Sequence, residues 1–265
     1  MTILQSTEVA TLQFETTRYS MLQKLFQKLR INTKTILLKF PWIFEFVQSI
    51  PDQYEYRKSL AKGSFAQHGE DIEIMRLLNQ AKATGFYVDI GCNHPYKLSN
   101  TYLLYLNGWR GLCVDPLPRF VNFYRKWRPE DRFECVGISE NHGELPFYEF
   151  EADVYSTFDM NLANINRENG FKFRQEVLTK IKTIDSLLES SEYVAPISLL
   201  SIDIEGHELS ALKSITLDKW KPAFICLEVL TPQQKRCEEP IAYLLANGYC
   251  IESDLGTNVV FRRNV

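Results

Sequence analysis

The chain of 265 residues has no pair of cysteines in C-x-x-C spacing, so its six cysteines, at 92, 113, 135, 226, 237 and 250, argue against a zinc site. The first four sit in apolar, strand-like runs where a free thiol packs as a small hydrophobe, a usage that fits a reducing, cytoplasmic compartment. No uninterrupted apolar run approaches the roughly 20 residues that span a bilayer. The most apolar stretch, TILLKFPWIFEFVQSIP, is broken by Lys39, Pro41 and Glu45, and no short apolar run with a small-residue cleavage site near Met1 suggests a secretory leader. Positive charge is not in excess: the formal net charge is -3, which leaves no overall field to gather nucleic acid. The glycine pattern G-x-G-x-x-G is missing, and with it a tight pyrophosphate cradle. There is no internal repeat and no low-complexity tract.

What is present falls into two parts. Residues 1–62 read as a helical N-terminal extension, in which Met21, Leu22, Leu25, Phe26 and Leu29 recur at helical spacing with Lys24, Lys28 and Arg30 on the wetter side. This extension is expected to cap the core or form a dimer surface, with peripheral attachment to a membrane as the alternative.

Residues 63–265 read as one α/β domain. Apolar, β-rich runs at FYVDIGC, GLCVDP, RFECVGIS, LLSIDIEG, AFICLEVL, YCIESD and NVVFRR alternate with helical stretches near 70–80, 99–107, 119–127, 207–215 and 235–247. Such alternation implies a doubly wound, mostly parallel, Rossmann-like sheet. An insertion from Glu144 to Leu188 carries two further runs that suit an antiparallel hairpin or a lid.

A doubly wound sheet binds its ligand at the carboxyl ends of its strands, where the strand order reverses. The first strand ends in FYVDIGCNHP, placing Asp89 and Gly91 there. The second ends at Asp115, about 25 residues on, as suits an acid that grips ribose hydroxyls. Two carboxylates without a pyrophosphate loop suit a nucleoside ligand. Gln67, Glu70 and Asp71 open the helix near 70, where they either close the ligand pocket or cap that helix electrostatically. Ser99, Asn100 and Thr101 have the character of an N-cap cluster. His68 and His142 lie in polar turns and receive no role. His94 and His207 stand at strand ends and face the crevice in this reading.

The motifs FAQHGEDIEI, FYVDIGCNHPYKLSNTYLLYLNGWRGLCVDPLP, LLSIDIEGHELSALKS and AFICLEV, in this order, resemble the FkbM family of S-adenosylmethionine-dependent methyltransferases. The likeness covers roughly Ser64 to the C-terminus. It implies a seven-stranded methyltransferase sheet with an antiparallel last strand, S-adenosyl-L-methionine as cofactor, and O-methylation, often of a sugar hydroxyl. It further implies that Asp89, Gly91 and Asn93 form the first cofactor loop, with Gln67, Asp71 and Asn100 about the donor. Asp115 falls on the ribose, and Gly137 to Ser139, including Ile138, beside the adenine. Where family members commonly carry alanine after the glycine, this chain has Cys92.

The expected reaction is methyl transfer to a hydroxyl of a saccharide, glycoconjugate or other small metabolite. Strand alternation through SIDIEGHE is expected to turn Asp203 and Glu205 to one face, with Asp203 on the donor's amino group and Glu205 or His207, then His94, as the base. A metal-assisted variant would use Asp203, Glu205 and Glu228 to hold magnesium, although the residues alone single out no metal site. A third reading is a cofactor-binding module without turnover. A nucleic-acid acceptor is not expected, since the N-P-P-Y type tetrad and a basic, aromatic-rich strand channel are both absent.

Overall fold

The computed structural model describes residues 54–193, 196–230 and 236–264. The amphipathic and apolar segments expected before Tyr54 lie outside the described residues. The chain divides into a unit ending at Lys62, in which residues 54–62 are helical, and a unit from Gly63 to Val265. No helix among the described residues is long and apolar enough to cross a membrane.

The second unit begins with helix α1 (Glu70–Gln80), strand β1 (Phe86–Ile90), α2 (Tyr102–Leu106), β2 (Arg110–Val114), α3 (Phe120–Trp127) and β3 (Arg132–Glu134). An inserted portion follows: β4 (Gly137–Ile138), β5 (Gly143–Phe150), a 3-10 turn (Asp153–Tyr155), α4 (Met160–Glu168) and β6 (Phe173–Lys182). The chain then returns through α5 (Ile184–Glu189), β7 (Leu199–Ile202), α6 (Glu208–Lys213), α7 (Leu217–Trp220) and β8 (Phe224–Glu228). It ends in α8 (Glu238–Ala246), β9 (Tyr249–Asp254) and β10 (Asn258–Arg263).

Seven strands form the central sheet in the order β3-β2-β1-β7-β8-β10-β9, parallel from β3 through β8, with β10 antiparallel to both of its neighbours. This is the methyltransferase arrangement the sequence led us to expect. Residues alternate between its faces. Val88, Ile90, Leu112, Val114, Leu200 and Ile202 pack with α5, α6 and α8, while Tyr87, Cys113, Leu199 and Cys226 pack with α1, α2 and α3. All five residues of β1 are therefore buried, which explains why it reads as a continuous apolar run rather than an alternating one.

Two local expectations are corrected. RFECVGIS is not one strand: β3 belongs to the central sheet, but β4 pairs with β6 in a separate three-stranded sheet ordered β4-β6-β5. The chain changes sheets at Cys135 and Val136. Gly137 permits the change, since a Cβ there would lie 2.4 Å from the Phe158 ring and 2.6 Å from Ile181. The fourth central strand, β7, also stops at Ile202, so Asp203 to Glu205 belong to the loop beyond it.

Candidate active site

A cleft opens at the carboxyl ends of β1, β2, β7 and β8. Among the predicted residues, Gln67, Gly91, Asn93, Asn100, Asp115, Asp203 and Glu205 border it together. They arrive from the loop before α1, the loops after β1, β2 and β7, and the approach to α2.

Gly91 occupies the tightest point. Its φ is +78°, and a Cβ would lie 1.7 Å from the carbonyl oxygen of Asp203. The glycine thus lets the loop after β1 touch the loop after β7, in addition to leaving the cleft open. Backbone strain gathers here too: of the five non-glycine residues with positive φ among the described residues, Asn93 (+45°), Leu98 (+55°) and Glu205 (+53°) all border the cleft.

Asp115, at the end of β2, is buried. Its Oδ2 accepts from the Asn93 N–H at 3.0 Å and its Oδ1 from the Leu117 N–H at 2.8 Å, which fixes the carboxyl while leaving each oxygen a further lone pair. Burial raises its pKa to about 7, although both backbone donors pull the other way. Asp89 is placed differently: it lies beneath the cleft, accepting from Thr101 Oγ1, which itself accepts from Arg128 Nη2 at 3.0 Å. It braces the loop rather than bordering the cleft.

Five other predicted residues also stand back from the cleft. Asp71 accepts from Ser64 Oγ and the Phe65 N–H, both at 2.7 Å, tying down the segment before α1. Ile138 is buried in the core. Ser139 Oγ lies 3.0 Å from His207 Nε2, and burial lowers the pKa of that imidazole, favouring its neutral form. His94 packs against Tyr96 and Phe123, its Nδ1 accepting from the N–H groups of Tyr96 at 3.4 Å and Lys97 at 3.3 Å.

Asp203, Glu205 and Glu228 each offer a carboxylate oxygen within 4.8 Å of the others. Strand alternation does not bring them together, since β7 has already ended. The left-handed backbone at Glu205, followed by Gly206 at φ +94°, turns the chain at the cleft wall. Burial, then the neighbouring carboxyls, holds Glu205 and Glu228 well above the usual carboxylate range.

The sequence reading did not place Asn258 or the insertion at the cleft. Asn258, in register with Glu228 across β10 and β8, is buried; its Nδ2 donates to Glu70 Oε1 at 3.3 Å, and its Oδ1 has no partner. No local pattern marks it, because its position follows from strand pairing. The insertion supplies Phe147, Asp153, Val154, Ser156 and Phe158, with the two phenylalanine rings 4.6 Å apart between centroids. Its lining role was legible only as a vague lid.

The donor set fits the implied cofactor. Among the described residues, six carboxyl side chains border the cleft, those of Glu70, Asp115, Asp153, Asp203, Glu205 and Glu228, and no lysine, arginine or histidine does. Such a wall suits a ligand carrying a sulfonium and an ammonium, and disfavours one carrying phosphates.

A solved TehB-like SAM-dependent methyltransferase from Corynebacterium glutamicum aligns over 82% of this chain and 99% of its own, with 13% identity and a TM-score of 0.41, too distant to bear on activity. No match is found among curated proteins. The sequence model of the methyltransferase FkbM domain matches residues 89–251, more than half of the chain. The protein therefore belongs to the FkbM methyltransferase family and takes S-adenosylmethionine as its cofactor.

Proposed function

We propose that the enzyme is an O-methyltransferase acting on an uncharged hydroxyl of a saccharide, glycoconjugate or other small metabolite. The observation that carries this reading is the cleft wall: among the described residues it holds six carboxyls, the four amides of Gln67, Asn93, Asn100 and Asn258, and no basic side chain. Carboxyls and amides accept hydrogen bonds from hydroxyls, whereas a phosphorylated or carboxylated acceptor would find no basic side chain among the described residues of the wall. The Phe147 and Phe158 rings offer apolar faces for the C–H side of a sugar.

In the reaction, the acceptor O–H proton passes to the Glu205 carboxylate as an oxygen lone pair forms the new O–CH₃ bond. When bound, S-adenosylmethionine would supply the methyl group, the S–CH₃ electron pair returning to sulfur to leave a neutral thioether. A bound sulfonium nearby favours the ionised form of Glu205, offsetting the burial that otherwise keeps it protonated. Alignment of donor methyl and acceptor oxygen supplies much of the remaining acceleration.

The test is a screen with labelled methyl donor against neutral glycans, glycolipids and polyols, beside their phosphorylated and uronate counterparts. Alkali-stable label in the neutral set is expected, as for a methyl ether. Alkali-labile label confined to carboxylates would overturn the reading, and donor binding without transfer to any acceptor would favour a module without turnover.

For residues 1–62 the proposed role remains a cap or dimer surface, and for the protein a cytoplasmic location, which its six free cysteines support. Salt-sensitive co-sedimentation of the intact chain with anionic vesicles would instead establish peripheral membrane attachment.

A further inference from the structure

We propose that Asp203, Glu205 and Glu228, with the amide oxygen of Asn258, form a site for a hard divalent cation such as Mg²⁺ or Mn²⁺ beside the bound donor. Two independent observations converge. The three carboxylate oxygens approach one another within 4.8 Å, an arrangement whose mutual repulsion a cation relieves. Separately, Asn258 Oδ1 is buried, borders the same cleft and has no hydrogen-bond partner, while its Nδ2 is held by Glu70. Direct pairing of Asn258 with Glu228 across antiparallel strands puts the two side chains on one face of the sheet.

The donor chemistry selects the ion. All four groups offer oxygen, with no histidine or cysteine among them, which suits Mg²⁺ or Mn²⁺ rather than zinc or copper. The four come from the loop after β7, the end of β8 and the start of β10, so the site forms only in the folded sheet. Water and the acceptor hydroxyl would complete the coordination shell, since Mg²⁺ usually keeps several such positions.

The consequence for catalysis rests on the O-methyl transfer reading. A hydroxyl on the cation is more acidic. Its proton passes to the Glu205 oxygen that is not coordinating, the freed oxygen forms the bond to the methyl carbon, and the S–CH₃ electron pair returns to sulfur. The cation ends the step unchanged.

Mn²⁺ titrated into the full chain, with free ion followed by electron paramagnetic resonance, tests the site without requiring turnover. S-adenosylhomocysteine binding, measured in parallel by calorimetry, tests the methyltransferase reading separately. One Mn²⁺ site displaced by Mg²⁺ is expected, weakened about tenfold or more in Glu228→Gln. A smaller weakening is expected in Asn258→Ala, with circular dichroism confirming that both variants fold. Absence of a Mn²⁺ site in protein that binds S-adenosylhomocysteine normally would overturn the cation site and leave methyl transfer standing. Equal Mn²⁺ affinity in wild type, Glu228→Gln and Asp203→Asn would overturn it too.

Discussion

Thr157 Oγ1, in the insertion, donates a hydrogen bond to the backbone carbonyl of Glu205 at 2.8 Å. The inserted sheet is thus fastened to the residue whose left-handed backbone presents a carboxyl to the cleft. Thr157 Oγ1 also accepts from the Asp159 N–H at 3.0 Å, so a single hydroxyl ties the start of α4 to the loop after β7. Thr157→Val keeps the side-chain volume and removes both bonds. A neutral hydrogen bond of this kind contributes about 1 kcal/mol, so kcat is expected to fall roughly fivefold while donor affinity holds. A change in donor affinity with kcat unaltered would contradict this division of labour.

Glu205 itself carries a larger share. Glu205→Gln preserves shape and removes the proposed proton acceptor, so turnover should fall by about 10² to 10⁴, with S-adenosylhomocysteine binding nearly intact. His207→Ala should cost much less, because His207 lies behind the cleft wall against Ser139. Rapid-quench measurement of both variants checks the contrast, and equal losses would return His207 to the chemistry.

Asp115 predicts a pH signature. Its pKa of about 7 means that the carboxylate proposed to hold the ribose hydroxyls is progressively lost as pH drops below neutrality. Donor affinity should therefore weaken from pH 7.5 to 5.5, by up to about tenfold per unit once the acid is mostly protonated. Asp115→Asn should flatten the profile, and Asp115→Ala should bind at least about tenfold more weakly at pH 7.5. Calorimetry across pH provides the check.

Stability without donor should run the other way. Burial raises Asp89 from 3.8 to about 6 and Asp115 from 3.8 to about 7. Between about pH 4 and 7 the folded state therefore holds more protons than the unfolded chain. The resulting stabilisation is complete below the unfolded pKa and is lost as pH rises through the folded values. These two groups should lower the melting temperature from pH 5 to pH 7.5, and S-adenosylhomocysteine should restore more of it at the higher pH. Scanning calorimetry of wild type and Asp115→Asn should show a shallower decline in the variant.

Arg128 offers a test away from the chemistry. It is wholly buried, donating to Asp131 at 2.6 Å, the Tyr87 hydroxyl at 2.8 Å, Thr101 Oγ1 at 3.0 Å and the Pro95 carbonyl at 3.3 Å. One guanidinium thereby pins both ends of the loop after β1. Removing it strands the Asp131 carboxylate, so Arg128→Met should destabilise the domain by about 3 to 5 kcal/mol in urea unfolding.

The strand ends were legible in the sequence because a buried parallel strand announces itself as an apolar run and its end as an abrupt polar turn. Asp115 and Gly91 could be found that way. Asp89 could not be told from a ligand-facing acid, since the hydrogen bond that turns it toward Thr101 comes from a residue 12 positions on. Asp203 and Glu205 were anticipated at the cleft for a reason the structure replaces, a turn rather than alternation. Asn258 was invisible because its neighbour Glu228 is 30 positions away in sequence, and the pairing that joins them is long-range. His94 misled because a strand-end histidine carries no mark of the aromatic rings that surround it.

The acid wall of the cleft also shapes how the donor arrives. Those of the six carboxyls at one mouth that stay ionised, on a chain of net charge -3, place negative potential where a ligand of net positive charge must enter. They draw cationic donor inward before any contact forms, so encounter is faster than unguided diffusion to a patch of the same size. Because mobile ions screen this attraction over about 10 Å at 0.1 M salt, the association rate of the donor should drop as ionic strength rises, while its dissociation rate changes far less.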